Sequence, residues 1–101
     1  MTKVIISPRA DADIDEITTY LAGRGGEPVV AKYLGLFDDV YRRLQMWPAS
    51  GPARRRLGKQ ARIAPVPPFV MIYDWDSTAD TVTIVRIVRG SRRITRRLVR
   101  G

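Results

Sequence analysis

Two periods alternate along the chain. Ala10, Ile14, Ile17 and Leu21 recur at spacings of four, three and four, which places them on one stripe of a helix. Val30, Tyr33, Phe37, Val40, Leu44 and Trp47 repeat at three, four, three, four and three, with Val29, Leu36 and Arg43 in a neighbouring row; this predicts a second, longer amphipathic helix. Beyond residue 68 the period falls to two. Phe69, Met71, Tyr73 and Trp75 alternate with Val70, Ile72 and Asp74, and a β-branched run from Val82 to Val88 follows the polar stretch Asp76 to Asp80. That is the pattern of two strands, Phe69 to Trp75 and Thr81 to Arg89, joined by a hairpin loop. Near the N-terminus, Val4-Ile5-Ile6 is too brief for a helix and reads as a strand over Lys3 to Ser7.

Punctuation supports these boundaries. Ser7 is a good N-cap with Pro8 at the first helical position. Asp11, Asp13, Asp15 and Glu16 crowd the early turns, where the helix dipole favours negative charge. On a helix these acids point in different directions, so capping and solvation explain them better than a metal site. The first helix is expected to stop at Gly23, Gly23 to Gly26 to form a turn, and the second helix to run from Pro28 to Met46, giving an antiparallel helical hairpin. Trp47 to Pro68 holds seven prolines and glycines and reads mostly as loop. Ala61 to Ala64 is at most a short strand, confined to a sheet edge by the proline near its end. The expected fold is α+β, one domain over residues 1–101, with a helical hairpin on a small, mainly antiparallel sheet in the order β-α-α-β-β-β and a basic C-terminal tail. Both long strands carry apolar groups on both faces. The hairpin covers one face, and the protein itself or a partner must cover the other.

Charge changes this picture. Arg86 interrupts the apolar run of the last strand, so its guanidinium must reach a partner, a sheet edge or a wet groove. Net charge is +8, and it is polarised. Residues 1–40 carry four basic groups against seven acids, whereas residues 41–101 carry fourteen against three. The excess sits in Arg54-Arg55-Arg56 with Lys59 and Arg62, and in a tail with Arg92, Arg93, Arg96, Arg97 and Arg100 around Ile94 and Leu98. Such a balance suggests a nucleic-acid or acidic-protein partner for the C-terminal half. The chain has no Cys and no His, which excludes a thiol nucleophile, a disulfide, a zinc site and an imidazole base. No cofactor is implied. No apolar run nears the roughly 20 residues of a membrane span, and no signal-peptide core is present, so a cytoplasmic protein without a membrane partner is expected.

In this order and spacing the pieces resemble the RelE/ParE superfamily of bacterial toxins, and more narrowly its ParE branch, often described as plasmid-stabilisation proteins. Ser7-Pro8 with Ala10, Asp13, Ile14 and Ile17 looks like the family's helix opening, and Leu44 with Pro48 and Gly51 like its helix exit. Phe69 to Tyr73 looks like its penultimate strand, and Val82 to Val88 with Arg92 or Arg93 like its last strand and basic turn. The resemblance implies a type II toxin that inhibits DNA gyrase and is neutralised by a ParD-like antitoxin in a hetero-oligomer. It points to Arg89, Arg92, Arg93, Arg96 and Arg97 for target contact, and to Tyr33, Phe37, Tyr73, Trp75 and Arg86 for antitoxin contact. The RelE branch cleaves mRNA on the ribosome, and under that alternative Arg62, Arg86 and Arg89 are the candidate catalytic groups. Family members often carry a His where Arg89 stands, and RelE-type chains a late Tyr and Lys; here no Tyr follows Tyr73 and no Lys follows Lys59. Arginine stabilises phosphorane charge well but is a poor proton donor or acceptor, so the chain leans away from catalysis. A third alternative is a non-toxic nucleic-acid-binding module.

Overall fold

In the computed structural model, which describes residues 1–101, the chain begins with strand β1 (Lys3–Ile6) and passes at once into helix α1 (Pro8–Met46). Ser7 caps the helix as its sequence suggests, its Oγ accepting from Ala10 N at 3.1 Å. The helix is broken at Gly26, whose φ of 72° and ψ of −164° leave helical space. A positive φ favours glycine, and Pro28 then starts a fresh helical course. The break lies three residues beyond the expected stop at Gly23. Its two arms double back: Pro8 follows β1, and Thr2 N donates to Gln45 O at 3.3 Å near the far helix end. Both ends of α1 therefore flank the same short strand, which makes the predicted helical hairpin.

A single-turn 3₁₀ segment (Arg55–Leu57), strand β2 (Ala61–Val66), strand β3 (Phe69–Asp76), strand β4 (Thr81–Arg89) and helix α2 (Arg96–Arg100) complete the fold. The four-stranded sheet has the order β1-β4-β3-β2. β1 runs parallel to β4, with Val4 opposite Val82 and Ile6 opposite Ile84; the other pairings are antiparallel. The β-branched last strand is thus central, and β2 takes the edge. β2 is longer than Ala61 to Ala64 because Pro65 stands at a sheet edge, where a missing N–H breaks no ladder.

Two apolar clusters sandwich the sheet. Ala10, Ile17 and Leu21 of the first helical arm and Phe37, Val40 and Leu44 of the second pack on Met71, Tyr73, Val82 and Ile84. Phe69 meets Phe37 and Tyr33 edge-on, with ring centroids 6.1 and 5.5 Å apart. On the opposite face Ile72 and Val88 are covered by Leu57 and Val99, with Ile94 and Leu98 alongside. The protein itself therefore closes the second face. The tail, expected to be basic, is a packed element: Thr95 Oγ1 caps α2 by accepting from Leu98 N at 3.1 Å, and Arg100 grips Asp74 with two hydrogen bonds of 2.6 Å. Trp47, placed by its spacing on the buried stripe, is instead 63% exposed, because the helix ends there and the chain turns away.

Truncation after Gly90 should strip the cover from Ile72 and Val88 and sharply reduce stability, and Leu57→Ala should cost about 2–5 kcal/mol. Urea unfolding followed by circular dichroism checks both; an unchanged midpoint for the truncated chain would show the second cluster to be dispensable.

Candidate functional site

The end of β4 is where the fold departs from regular pairing. β1 stops at Ile6, opposite Ile84, so residues beyond Val85 have no strand on that side. Pairing with β3 shifts there too: Ile72 faces Arg86 while Tyr73 faces Ile84, leaving Val85 as the extra residue of a bulge. A bulge re-aims the side chains that follow. Asp13 fills the place of the missing strand. Its Oδ2 accepts from Ile87 N at 3.0 Å, and its carboxylate takes a two-pronged contact from Arg86, Nε to Oδ2 at 2.8 Å and Nη2 to Oδ1 at 3.1 Å. Arg86 Nη1 donates to Leu98 O of α2. Both side chains are almost fully buried, at 5% and 3% exposure. Arg86 thus joins α1, β4 and α2 in one contact set.

Three residues on, Arg89 emerges at the mouth of an open cavity of about 450 Å³ between α1 and the end of β4. Its guanidinium lies 4.8 Å from the ring centroid of Tyr20 and 5.9 Å from that of Phe69, and Nη2 donates to the Tyr20 hydroxyl at 2.9 Å. Arg24 approaches the same tyrosine ring at 5.0 Å. The hydrogen bond from Arg89 is the main cause that lowers the Tyr20 pKa from its ordinary value; slight desolvation opposes it, and the positive charges of Arg24 and Arg89 add to it. Asp13 and Arg86 also reach its wall, and Glu16, Ser91 and Arg92 complete the polar part. The site is an exposed arginine surface over an aromatic floor, able to meet a phosphate or carboxylate.

The candidate residues separate into distinct settings. Arg89, Arg92, Arg93, Arg96 and Arg97 are all exposed. Arg62 sits on β2 opposite Tyr73, whereas Arg89 lies opposite Phe69, four residues along β3, or roughly 13 Å of strand. Arg62 is also engaged, donating through Nη1 to Ala49 O at 3.1 Å and Gly51 O at 2.8 Å. Arg86 and Arg89 line the same cavity, whereas Arg62 lies apart from both. Of the residues named for antitoxin contact, Tyr33 and Trp75 are half-buried, while Phe37, Tyr73 and Arg86 lie inside the protein. The Tyr73 hydroxyl donates to Pro48 O at 2.8 Å and accepts from Gly51 N at 3.0 Å, fastening the loop after α1. Burial raises its pKa. Tyr20 and the pairing role of Asp13 were not anticipated. A signal for Asp13 existed, since it stands three residues after Ala10 and four before Ile17, on the buried stripe. Nothing in the sequence singles out Tyr20. No group of three or more acidic, Cys or His side chains is placed to hold a metal.

Removing one member of the buried pair leaves the other charged and unmatched. Asp13→Ala should therefore cost about 3–5 kcal/mol, and the double change Asp13→Leu with Arg86→Met should recover much of that loss. Urea titrations of the three variants measure it; a loss under about 1 kcal/mol for Asp13→Ala would remove the pair from its central place. At the cavity mouth, Arg89→Gln should raise the Tyr20 titration midpoint back toward about 10. Ultraviolet titration of the phenol against a Tyr20→Phe control reads this, and an unmoved midpoint would show that Arg89 does not act on Tyr20.

The arrangement has close parallels among known proteins. The family model for the ParE toxin of the parDE type II toxin-antitoxin system matches residues 4–94. A chain of the chromosomal ParDE system from P. aeruginosa superposes with a TM-score of 0.60 at 20% identity, covering 88% of this chain and 96% of that one. The RelBE2 toxin-antitoxin complex from Mycobacterium tuberculosis gives 0.57 at 23% identity, covering 87% and 96%. A metal-bound toxin from Helicobacter pylori gives 0.54 at 17% identity, covering 93% and 100%. No curated protein matches significantly by sequence. The structural likenesses are of fold; the family match runs from β1 through the turn after β4 and takes in both Asp13 and Arg86, and by it the chain belongs to the ParE toxin family of type II toxin-antitoxin systems.

Proposed function

We propose that this toxin acts by inhibiting DNA gyrase and is held inactive by a cognate ParD-like antitoxin, both in the cytoplasm. The observation that carries the reading is the division among its arginines. Arg62 and Arg86 are engaged in holding the fold, while Arg89 and the α2 segment offer charge at the surface. A surface of that kind suits binding and poisoning a target more than cutting a phosphodiester bond, which needs positioned proton transfer. No helix is long and apolar enough to cross a membrane, which fits this setting.

An antitoxin has an obvious place to bind. The outer edge of β2 is engaged by residues 52–54, with Ile63 N donating to Pro52 O and Arg54 N to Ala61 O. The outer edge of β1 is free, and Ile5 and Ile6 there are 39% and 38% exposed. An added strand from a partner would satisfy that edge and cover those side chains. Leu34 and Leu36 on the second arm of α1, and Met46 and Trp47 at its end, extend the apolar surface.

The test is to add the purified toxin, freed of its antitoxin, to a gyrase supercoiling reaction. Loss of supercoiling with accumulation of linear cleaved DNA, relieved by the antitoxin, is the expected result. Folded toxin that leaves gyrase untouched but promotes mRNA cleavage in a translation reaction would replace this reading with the ribosome-dependent one.

A further inference from the structure

We infer that the toxin carries a docking surface for duplex DNA, formed where the 54–59 segment and the C-terminal segment meet on the sheet face away from α1. This surface adjoins the Arg89 cavity at Arg92, and the inference does not depend on gyrase being the target.

The two segments are far apart in sequence and each looks, alone, like a solvated charge run. The fold joins them. Leu57 and Val99 share the second apolar cluster. Arg56 Nη1 donates to Ile94 O at 3.0 Å, and Arg100 Nε donates to Leu57 O at 2.9 Å. Lys59, Arg96 and Arg100 line one open cavity of about 330 Å³ that has no hydrophobic side chain in its wall and one acid, Asp74, which Arg100 pairs. Between them, residues 54–59 and 92–100 carry nine basic groups and no acid. Arg100 alone of the nine is paired with a carboxylate, Asp74. Seven of the ten acids lie in residues 1–40, all on α1, so the molecule has an acidic side and a basic side.

Eight unpaired like charges on one packed surface repel one another, and a polyanion relieves that repulsion while releasing its own counterions. Packing through Leu57, Leu98 and Val99 fixes the backbone beneath the guanidinium groups before binding, which lowers the ordering cost. The choice of duplex DNA follows from what the surface lacks. Neither segment contains an aromatic residue on which unpaired bases would stack, as single-strand binders require. Its charged side chains are donors only, so they hold phosphate oxygens but cannot accept from the 2′-hydroxyl by which RNA is told from DNA. With no element shaped to enter a groove, binding reads charge and not sequence.

The experiment measures fluorescence anisotropy of a short labelled DNA duplex of arbitrary sequence against the full-length toxin across a salt series. If about six phosphates are contacted, the log-log salt slope is near −5, and affinity falls roughly 10³-fold between about 50 and 200 mM salt. The double variant Arg55→Gln with Arg97→Gln, verified as folded by its melting curve, should reduce the slope by about 2; Lys32→Gln with Arg42→Gln on α1 should leave it unchanged. Absence of binding at about 50 mM salt, an unaltered slope in the first variant, or displacement by polyglutamate, single-stranded DNA or duplex RNA as effective as by duplex DNA would overturn the assignment.

Discussion

The structure depends on one buried ion pair. Arg86 and Asp13 sit 73 residues apart in sequence, and between them they solve a problem created by the shortness of β1. A four-residue first strand leaves the far half of β4 without a neighbour on one side. Asp13 supplies an acceptor for the orphaned Ile87 N–H, and the bulge at Val85 turns Arg86 toward the same carboxylate. The remaining donor of Arg86 reaches α2. Desolvating two charges is costly, and a pair of this kind gives little net stability over an apolar substitute. Its value is in specifying one arrangement of α1, β4 and the tail.

That arrangement explains why a chain of this size manages a two-sided core. Sheets with both faces apolar need cover on both, and a 101-residue domain has little chain to spare. Here α1 covers one face and the second is closed by a turn of 3₁₀ helix and a five-residue helix. Their small apolar contribution is supplemented at the rim by the Arg100 contact with Asp74, half-shielded from solvent at 30% and 23% exposure. The arginines of the tail accordingly divide by role. Arg100 binds the tail down; Arg92, Arg93, Arg96 and Arg97 remain at the surface.

Much of the fold was legible from periodicity. The stripes Ala10 to Leu21 and Val30 to Leu44 kept helical spacing and both packed as read, and the central position of β4 followed from its β-branched run. The break at Gly26 was blurred by three neighbouring glycines, Gly23, Gly25 and Gly26, any of which permits a turn. β2 was expected at an edge but stopped short at Ala64, because Pro65 was taken to end a strand that an edge position lets it continue. Arg86 was recognised as needing a partner, but that partner is long-range, and Asp13 had been grouped with its exposed neighbours as a helix-start acid. The tail was read as basic first; Leu98 was noted, yet the buried contribution of Val99 and Leu57 depends on a surface that only the folded sheet creates. Tyr20 gave no signal, since its pairing with Arg89 arises across 69 residues.

The parallel pairing of β1 with β4 ties the opening of the polypeptide to its last fifth, with Lys3 opposite Thr81. Contacts of such long sequence separation cannot form until nearly the whole chain exists. During synthesis, α1 is complete early, but β4, the Arg86 contact and the closing helix leave the ribosome last. The nascent toxin therefore has no finished sheet while it is being translated, and its surface is assembled in a single late step. Until β4 emerges, β1 is an open strand edge, available to any other strand that would pair with it.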